Sequence, residues 1–333
     1  MKRFETYSLK PFNTFGIDAT AHQFVILESA QEVELLDSLL PDREPMLVLG
    51  GGSNLLLTSD FKGTVVAPWF TGIEIIEDEN EYVLVRVAAG EDWDSLVEWS
   101  CLRNLWGIEN LSLIPGKVGA CPIQNIGAYG VEVKDSIETV TYYHLDTKRF
   151  ETITHNQCHF GYRTSIFKQE LRNKIIVTSV VFRLSKLPTA VLHYANLQDL
   201  AGETPSPMTI RNVVIGIRES KLPDPKITGN AGSFFKNPVI TEELFIKIKE
   251  TYPEIPSYPS NEGTVKVPAG WLIEKGGWKG KSIGNAGVHA KQALVIVNHG
   301  GATGAEIIAL AKEIQRSIYS QFGIELEMEV NAV

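Results

Sequence analysis

The chain has 333 residues, of which 44% are hydrophobic and 21% are charged, as in an ordinary globular protein. Its length exceeds the size at which a single core stops growing, so the sequence predicts two or three domains. A formal net charge of −9 argues against a broad nucleic-acid-binding or anionic-membrane surface. The apolar runs are too short to span a bilayer, and no apolar stretch follows the first two basic residues, so we expect a cytoplasmic protein.

The residue types that bind metals are widely spaced in this sequence. Cys101, Cys121 and Cys158 are an odd number of cysteines without a CxxC pair, which indicates neither a disulfide framework nor a thiolate metal site. His155 and His159 have the i, i+4 spacing of a helical metal pair, but their segment is typical of a turn and no third ligand is evident. The sequence therefore predicts no metal.

The first third of the chain contains a strand that runs into three glycines. Ser29, Glu32 and the apolar residues after them predict a short capped helix that ends at Pro41. Residues 45–49 then predict a buried strand that leads directly into residues 50–54, Gly-Gly-Gly-Ser-Asn. Consecutive amides in such a loop form a nest that suits phosphate, although a β-turn is the alternative. The loop is neither a P-loop nor a dinucleotide-binding GxGxxG fingerprint.

Residues 64–185 predict an α+β domain. Strands are expected near residues 64–68, 81–90, 137–146 and 174–184, and Asp92 is expected to cap a helix. Between them, residues 114–130 hold four glycines interleaved with apolar side chains, which indicates a buried loop whose backbone approaches a ligand closely. A tight, buried connection without a ligand is the alternative.

Two further segments carry polar and aromatic residues. Arg163 lies in a loop with Tyr162, Thr164 and Ser165. Its planar guanidinium group suits a carboxylate or phosphate, and a solvated side chain is the alternative. Residues 187–212 contain Tyr194 and have the composition of a long surface excursion that closes over a site.

The composition changes at residues 222–226, where we place the main domain boundary. Residues 229–238 follow and place Ser233 on a constrained turn, where a purely structural serine is the alternative. No His–Asp relay stands beside it, so a hydrolase nucleophile is disfavoured. Thr241 and Pro268 are each expected to start a helix.

The last part of the chain predicts a right-handed β-α-β unit. Residues 292–299 read as a buried strand, Thr303 and Glu306 as the capping box of a helix that ends at Gly323, and residues 324–330 as a final strand. Alternation in that strand places Glu325, Glu327 and Glu329 on one face, and in the simplest interpretation at least two of the three carboxylates are solvated.

Together these motifs resemble the UDP-N-acetylenolpyruvoylglucosamine reductase family, flavoproteins that make UDP-N-acetylmuramate for bacterial cell walls. The resemblance covers nearly the whole chain, and eight motifs in the right order carry it: NTFG (13–16), GGGSN (50–54), IPGKVGACPIQNIGAYG (114–130), FGYRTSIFK (160–168), RESKLPDP (218–225), GNAGSFFKNP (229–238), PAGWLIEKGGWKG (268–280) and LEMEV (326–330).

The family implies an α+β chain with a two-part FAD-binding region of the vanillyl-alcohol-oxidase (PCMH-type) fold and an α/β substrate-binding domain. We expect FAD-binding subdomains at 1–70 and 71–221, with a substrate loop near 188–212. The substrate-binding domain is expected at 222–325, and residues 326–333 form a strand that returns to the flavin site. The family further implies a monomer that binds no nucleic acid and does not insert into membranes.

The resemblance also implies residue roles. Three residues match the catalytic positions: Arg163, Ser233 and Glu329. Non-covalently bound FAD is expected to contact Gly50, Gly51, Gly52, Ser53, Asn54, Pro115, Gly116, Gly119, Gln124, Asn125, Gly127, Ala128, Tyr129 and Arg218. Five residues match positions that bind the nucleotide-sugar substrate: Tyr194, Lys221, Asn237, Tyr258 and Gln292. NADPH is the implied hydride donor.

The chain departs from the family pattern at one position near its end. Family members commonly place an arginine after the catalytic Glu-Val pair, whereas this sequence has Asn331. Any cofactor contact made by that arginine is therefore absent or replaced here.

Overall fold

The computed structural model describes residues 1–39, 45–194 and 196–333. These residues form two compact units, each assembled from separate stretches of chain. The first comprises Met1–Tyr7, Ala21–Gly51 and Lys62–Ser220, and the second comprises Ser8–Thr20, Gly52–Phe61 and Lys221–Val333. The predicted four-part domain division stays a prediction.

Seven helices and twenty strands are present in the described residues. The helices are α1 (Leu36–Leu39), α2 (Trp93–Cys101), α3 (Leu197–Ala201), α4 (Pro207–Lys221), α5 (Glu242–Thr251), α6 (Ala269–Lys275) and α7 (Gly304–Phe322). The strands are β1 (Lys2–Ser8), β2 (Thr20–Leu27), β3 (Met46–Val48), β4 (Leu55–Leu56), β5 (Phe61–Pro68), β6 (Ile73–Asp78), β7 (Tyr82–Ala88), β8 (Gly127–Ala128), β9 (Val131–Glu132), β10 (Ile137–His144), β11 (Arg149–Thr154), β12 (Ile175–Ser185), β13 (Gly229–Ser233), β14 (Val239–Thr241), β15 (Tyr258–Pro259), β16 (Thr264–Lys266), β17 (Ser282–Ile283), β18 (Ala286–Val288), β19 (Val295–Asn298) and β20 (Asn331–Ala332).

The first unit is built on two larger sheets. One has the order β1-β2-β5-β3, with β3 and β5 parallel, and the other is an antiparallel sheet of order β11-β10-β12-β7-β6. A single hydrophobic cluster joins buried residues of these strands to Trp93, Leu96 and Val97 on α2. The Asp92 carboxylate accepts a hydrogen bond of 3.1 Å from the Ser95 amide, so the predicted capped helix is confirmed.

The second unit contains a four-stranded sheet of order β13-β19-β18-β17 and a three-stranded sheet of order β14-β16-β15. Its longest helix, α7, buries Ile307, Leu310, Ile314 and Ile318, the spacing of one helical face. Thr303 and Glu306 form the predicted capping box, and Gly323 ends the helix in the left-handed region. The expected helices α5 and α6 are confirmed as well.

One element predicted in the first third of the chain is wrong. The expected helix after Ser29 is a 3-10 turn, Ala30–Leu35, followed by the single turn α1, and Ser29 makes no capping bond. Glu32 instead accepts a hydrogen bond of 2.7 Å from the Glu28 amide. The predicted helix end at Pro41 lies outside the described residues. The segment 187–212, expected to be a surface excursion, contains α3 and the first residues of α4, and its closure over a site stays a prediction.

The predicted C-terminal β-α-β unit is also wrong. The strand after α7 is β20, and it pairs in parallel with β4 instead of joining the sheet that contains β19. The predicted alternation holds for Glu325 and Glu327, which are exposed, but it fails at Glu329, which is only 9% exposed. Glu329 therefore does not share the solvated face of the other two carboxylates.

No helix in the described part of the chain is both long enough and apolar enough to cross a membrane. Among the same residues, no three or more histidine, cysteine, aspartate or glutamate side chains are grouped closely enough to hold a metal ion. His155 begins a 3-10 turn and His159 follows it in the left-handed region, so the two do not share a helix face.

Candidate active site

Within the first unit, Gly50 and Gly51 pack against the glycine-rich segment at 114–130. A Cβ atom on Gly51 would lie 2.8 Å from the Gly116 Cα atom, and one on Gly50 would lie 3.4 Å from the Ala120 Cβ atom. A Cβ atom on Gly119 would lie 2.7 Å from the Ala89 Cβ atom. The structure thus brings Gly50 and Gly51 against the loop at 114–130, and at Gly51 the approach leaves no room for a side chain.

The end of the second loop is a tight hairpin. Strands β8 and β9 are antiparallel, with Gly127 opposite Glu132 and Ala128 opposite Val131. The two residues between the strands, Tyr129 and Gly130, have φ angles of 50° and 83°. Positive φ at both positions matches the twist of a two-residue hairpin turn. Gln124, Gly127 and Ala128 are half-buried in this loop, whereas Pro115 is exposed at its start.

Asn125 has a structural role in the same loop. Its amide nitrogen donates to the Glu132 carboxylate at 3.0 Å and to the Gly161 carbonyl at 3.1 Å, and its side-chain oxygen accepts from the Lys134 amide at 3.1 Å. The side chain is fully buried. The protein itself therefore provides partners for Asn125, and its predicted contact with the cofactor stays a prediction.

Arg163 lies against this loop. Its Nη2 donates to the Gly127 carbonyl at 3.0 Å and its Nη1 to the Asn125 carbonyl at 3.4 Å, while its own φ angle is 54°. The residue is half-buried, so the alternative of a freely solvated loop arginine does not hold. The predicted catalytic arginine and the predicted cofactor loop are therefore in direct contact.

A second cation, Arg218 on α4, lies beside Tyr129. Burial lowers the pKa of Arg218, with opposing contributions from Tyr129 and Asp94, and burial raises the pKa of Tyr129. The Arg218 Nε is buried and has no hydrogen-bond acceptor among the described residues. A buried donor without an acceptor suits a bound anionic or carbonyl-bearing group, so the first unit fits the predicted cofactor.

An ion pair that the sequence analysis missed fixes α4. Arg211, which precedes Arg218 by two helical turns, forms two hydrogen bonds of 2.6 and 2.8 Å with the Asp94 carboxylate on α2. Burial would raise the pKa of Asp94, but Arg211 and the Leu113 amide, which donates at 2.5 Å, lower it overall. The pair therefore anchors α4 next to the start of the loop at 114–130. Partners so far apart in the sequence leave no local signal.

Ser233 and Glu329 of the second unit lie on neighbouring backbone segments. The Glu329 amide donates to the Phe234 carbonyl at 2.8 Å, and the Lys236 amide donates to the Glu327 carbonyl at 2.9 Å. Ser233 is not on the predicted turn but ends strand β13, whose register shifts between Asn230 and Ser233. Gly232, with a φ angle of 68°, lies within this register shift, at the place where the sequence predicted a turn.

The loop residue Asn54 also contacts this pair of segments. Its Nδ2 donates to the Glu329 carbonyl at 3.2 Å, and its own carbonyl accepts from the Asn331 amide at 3.1 Å. Gly52 is supported from the other side, because the Thr14 amide donates to its carbonyl at 3.1 Å. The NTFG motif at 13–16 therefore supports the glycine-rich loop, a role that the motif alone did not reveal.

The predicted substrate residues of the second unit are distributed around β13. Gln292 lies in the turn before β19, and the neighbouring Leu294 carbonyl accepts a 2.8 Å hydrogen bond from Phe234. Asn237 accepts a 3.0 Å hydrogen bond from the Ala269 amide at the start of α6. Tyr258 is on β15 and 42% exposed, and Lys221 is the exposed last residue of α4. Tyr194, in the first unit, is 40% exposed.

Two family models match the chain. One, described as an FAD binding domain, matches residues 21–149, and the other, described as the C-terminal domain of UDP-N-acetylenolpyruvoylglucosamine reductase, matches residues 224–333. An FAD-binding domain of this type, with the α+β architecture described above, defines the chain as an FAD-containing oxidoreductase. The predicted fold class is confirmed.

Similar proteins identify the family. The UDP-N-acetylenolpyruvoylglucosamine reductases of Flavobacterium johnsoniae and of Pseudomonas aeruginosa are each 46% identical over 334 residues, covering 98% of this chain and 98% of the relative. The crystal structure of the reductase from Thermus caldophilus has the same fold, with a TM-score of 0.67 at 24% identity over 99% of this chain and 98% of that chain. The chain belongs to the UDP-N-acetylenolpyruvoylglucosamine reductase family.

Proposed function

We propose that this chain reduces the enolpyruvyl group of UDP-N-acetylglucosamine enolpyruvate to give UDP-N-acetylmuramate in peptidoglycan precursor synthesis, with NADPH as the hydride donor. Membership in the reductase family supports the reaction, and the matching FAD-binding domain supports the cofactor. The structural observation that supports the assignment of roles is the hydrogen bond between the Glu329 amide and the Phe234 carbonyl, which places the backbone of Glu329 beside the segment that carries Ser233.

The cofactor is assigned to the loops at 50–54 and 114–130, together with Arg218. Bound there, FAD would supply the hydride chemistry, by accepting hydride from NADPH and passing it to the enolpyruvyl carbon farthest from the substrate carboxylate. The close approach of Gly51 to Gly116 and the buried Nε of Arg218 support this assignment. The other cofactor residues stay predictions.

Arg163 and Glu329 are assigned to charge stabilisation. Addition at the far carbon pushes negative charge onto the substrate carboxylate as an enolate. A guanidinium and a protonated carboxyl can both donate hydrogen bonds to that oxygen, a contribution of about 3–4 kcal/mol per donor in other enzymes. The carbonyls of Gly127 and Asn125 orient the Arg163 guanidinium before any substrate binds.

Ser233 is assigned as the donor of the proton that completes the reduction. A hydroxyl is a weak acid at neutral pH, but the carbanion that accepts the proton is strongly basic, so the transfer is favourable once water is excluded. Its place at the end of β13, next to the irregular backbone at Gly232, fixes the direction of the hydroxyl-bearing carbon.

Lys221, Asn237, Tyr258, Gln292 and Tyr194 are assigned to substrate binding. Lys221 is the residue assigned to the diphosphate, as a point charge on the exposed end of α4. We expect Lys221→Ala to raise the KM for the nucleotide-sugar substrate while the rate of flavin reduction by NADPH stays unchanged. An unchanged KM would refute the assignment of Lys221 to the substrate diphosphate. A cytoplasmic monomer is part of the same proposal.

The first test is the visible absorption spectrum of the purified protein under anaerobic conditions. A flavin band that NADPH bleaches, and that returns when UDP-N-acetylglucosamine enolpyruvate is added, is the expected result. If NADPH leaves the flavin oxidised, the assignment of NADPH as the hydride donor is refuted. A flavin that NADPH bleaches but the enolpyruvyl compound does not reoxidise refutes the substrate and favours a related flavin oxidoreductase that acts on another small molecule.

A further inference from the structure

Asn110 lies where the loop at 114–130 and the segment around Tyr194 meet. Its Nδ2 donates one hydrogen bond of 2.8 Å to the Tyr129 carbonyl and another of 2.8 Å to the Val191 carbonyl. The residue is completely buried. One side-chain amide therefore uses both of its hydrogens to join two segments that are 62 residues apart in the sequence, residues 129 and 191.

The position of Asn110 is itself fixed by a buried carboxyl. Asn110 is the central residue of a 3-10 turn, Glu109–Leu111. The Glu109 carboxylate accepts a 2.7 Å hydrogen bond from the Gly107 amide, and the Ser112 hydroxyl donates to the Glu109 carbonyl at 2.6 Å. Burial raises the pKa of Glu109. These hydrogen bonds within the turn fix its backbone. The side-chain amide of Asn110 therefore has a fixed position relative to the Tyr129 and Val191 carbonyls.

The orientation of the Asn110 amide follows from its neighbours. Both atoms that face its Nδ2 are carbonyl oxygens, which only accept hydrogen bonds, so the nitrogen must be the atom on that side. The Asn110 Oδ1 is buried and has no hydrogen-bond donor among the described residues.

Side-chain packing closes the same junction. A Cβ atom on Gly130 would lie 3.3 Å from Val191, 3.4 Å from His193 and 3.5 Å from Tyr194, so the segment at 191–194 rests directly on this glycine. The Tyr129 and Tyr194 rings meet edge to face, with centroids 6.2 Å apart at 89°. Edge-to-face contact of this kind stabilises aromatic pairs.

We propose that Asn110 is a positioning residue, which sets the place of Tyr194 by bridging the Tyr129 and Val191 carbonyls. The inference rests on the proposed function in taking Tyr194 as a substrate-binding residue. It adds a residue that does not touch the substrate but determines how strongly the substrate is bound. Val191 and Leu192 also pack against buried side chains of the first unit, so the segment is anchored up to the point where Tyr194 becomes exposed.

The test compares Asn110→Asp with the unchanged enzyme, both loaded with FAD. Aspartate has nearly the same size, so it leaves no cavity. An ionised carboxylate donates to neither carbonyl, and a protonated one has a single O–H that donates to only one of them, so the bridge is lost in either state. We expect the KM for UDP-N-acetylglucosamine enolpyruvate to rise about tenfold or more. Without the bridge Tyr194 is less ordered, and the net contribution of about one hydrogen bond corresponds to a change of this size. The rate at which NADPH bleaches the flavin is expected to stay within about threefold, because none of the residues assigned to FAD is replaced.

A second readout does not depend on turnover. Chymotrypsin cleavage after Leu192 or Tyr194, followed by mass spectrometry, reports local opening of the segment. We expect cleavage there to be about tenfold faster in Asn110→Asp than in the unchanged enzyme. Ser100→Ala is the matched control, because Ser100 is equally buried in the first unit and donates one 2.8 Å hydrogen bond to the Val97 carbonyl, away from the junction.

Gly130→Ala provides an independent variant in case Asn110→Asp does not fold. Its Cβ atom presses on residues 191–194 from the opposite side of the bridge, and the φ angle of 83° disfavours any side chain. The same rise in KM and in cleavage is expected. Unchanged cleavage in both variants, or a rise in KM without faster cleavage, overturns the positioning role. An unchanged enzyme that does not reduce the enolpyruvyl compound refutes the proposed function instead, and the cleavage result still decides the role of Asn110.

Discussion

The ion pair between Asp94 and Arg211 gives the sharpest prediction about stability. The Arg211 side chain is 7% exposed and that of Asp94 25%, and two hydrogen bonds of 2.6 and 2.8 Å connect them. Removing one partner of a buried pair typically costs about 3–5 kcal/mol, because the other charge stays buried without compensation. The partial exposure of Asp94 and the Glu98 carboxylate, 3.8 Å from Arg211, reduce that cost. We expect Asp94→Asn to lower the free energy of unfolding by about 3 kcal/mol.

The assay is urea unfolding of the FAD-loaded protein at a fixed excess of FAD, since a bound cofactor adds to the apparent stability. Glu74→Gln is the matched control, because the Glu74–Arg86 pair has a similar separation of 3.1 Å but its side chains are 66% and 51% exposed. An exposed pair contributes at most about 1 kcal/mol. If Asp94→Asn destabilises the protein no more than Glu74→Gln does, the reasoning from burial is refuted.

The same variant has a defined pH dependence. Contacts with Arg211 and the Leu113 amide lower the pKa of Asp94 in the folded protein, whereas the unfolded chain titrates near the ordinary value of about 3.9. A lowered folded pKa gives stability that is fully present above the unfolded pKa and is lost as the pH falls through the folded pKa. The difference between the unchanged protein and Asp94→Asn should therefore be constant above about pH 5 and shrink below about pH 4.

Three further predictions concern catalysis, the cofactor and a helix. Ser233→Ala should lower the rate of substrate reduction about 10²–10⁴-fold while NADPH still bleaches the flavin at the usual rate; equal losses in both half-reactions would exclude a proton donor. Gly51→Ala should lower the ratio of flavin to protein absorbance, because its Cβ atom would lie 2.8 Å from Gly116, whereas Gly216→Ala, with nothing within 4 Å, should retain the flavin. Thr303→Ala should lower the free energy of unfolding by about 1 kcal/mol, measured by urea unfolding, and an unchanged midpoint would mean that the capping bonds to Glu306 contribute little.

Two helices defined by neighbouring residues, α7 and α2, were predicted correctly from the sequence, whereas the local pattern after Ser29 gave a 3-10 turn. The helix α7 is an example: Thr303 and Glu306 cap it, four buried residues recur at helical spacing, and Gly323 ends it. The same holds for α2, which Asp92 caps. In each case the capping partners lie within one helical turn, so the sequence pattern contains all the information that the local structure needs.

Elements that depend on distant partners were not predicted. The C-terminal strand β20 pairs with β4, which is 276 residues earlier at both paired positions, Asn331 with Leu55 and Ala332 with Leu56. The sequence pattern favours a strand but does not choose between that partner and β19. Asn110 is the same kind of case, because an isolated asparagine among apolar residues gives no sign that it bridges two loops. Sequence motifs therefore indicate which segments carry function, while long-range hydrogen bonds decide where they lie.

The departure from the family pattern at Asn331 acquires a physical meaning from these long-range contacts. The Asn331 amide and its Nδ2 both donate to the Asn54 carbonyl, at 3.1 and 3.3 Å, and Asn54 in turn donates to the Glu329 carbonyl. The short asparagine side chain reaches the carbonyl of Asn54, the residue before its pairing partner Leu55. A longer arginine side chain would carry its charge away from the backbone. The residue that replaces the expected arginine therefore adds a side-chain hydrogen bond to the backbone pairing at Asn54. The Glu329 backbone is held on both sides, because its amide donates to the Phe234 carbonyl and its carbonyl accepts from the Asn54 side chain.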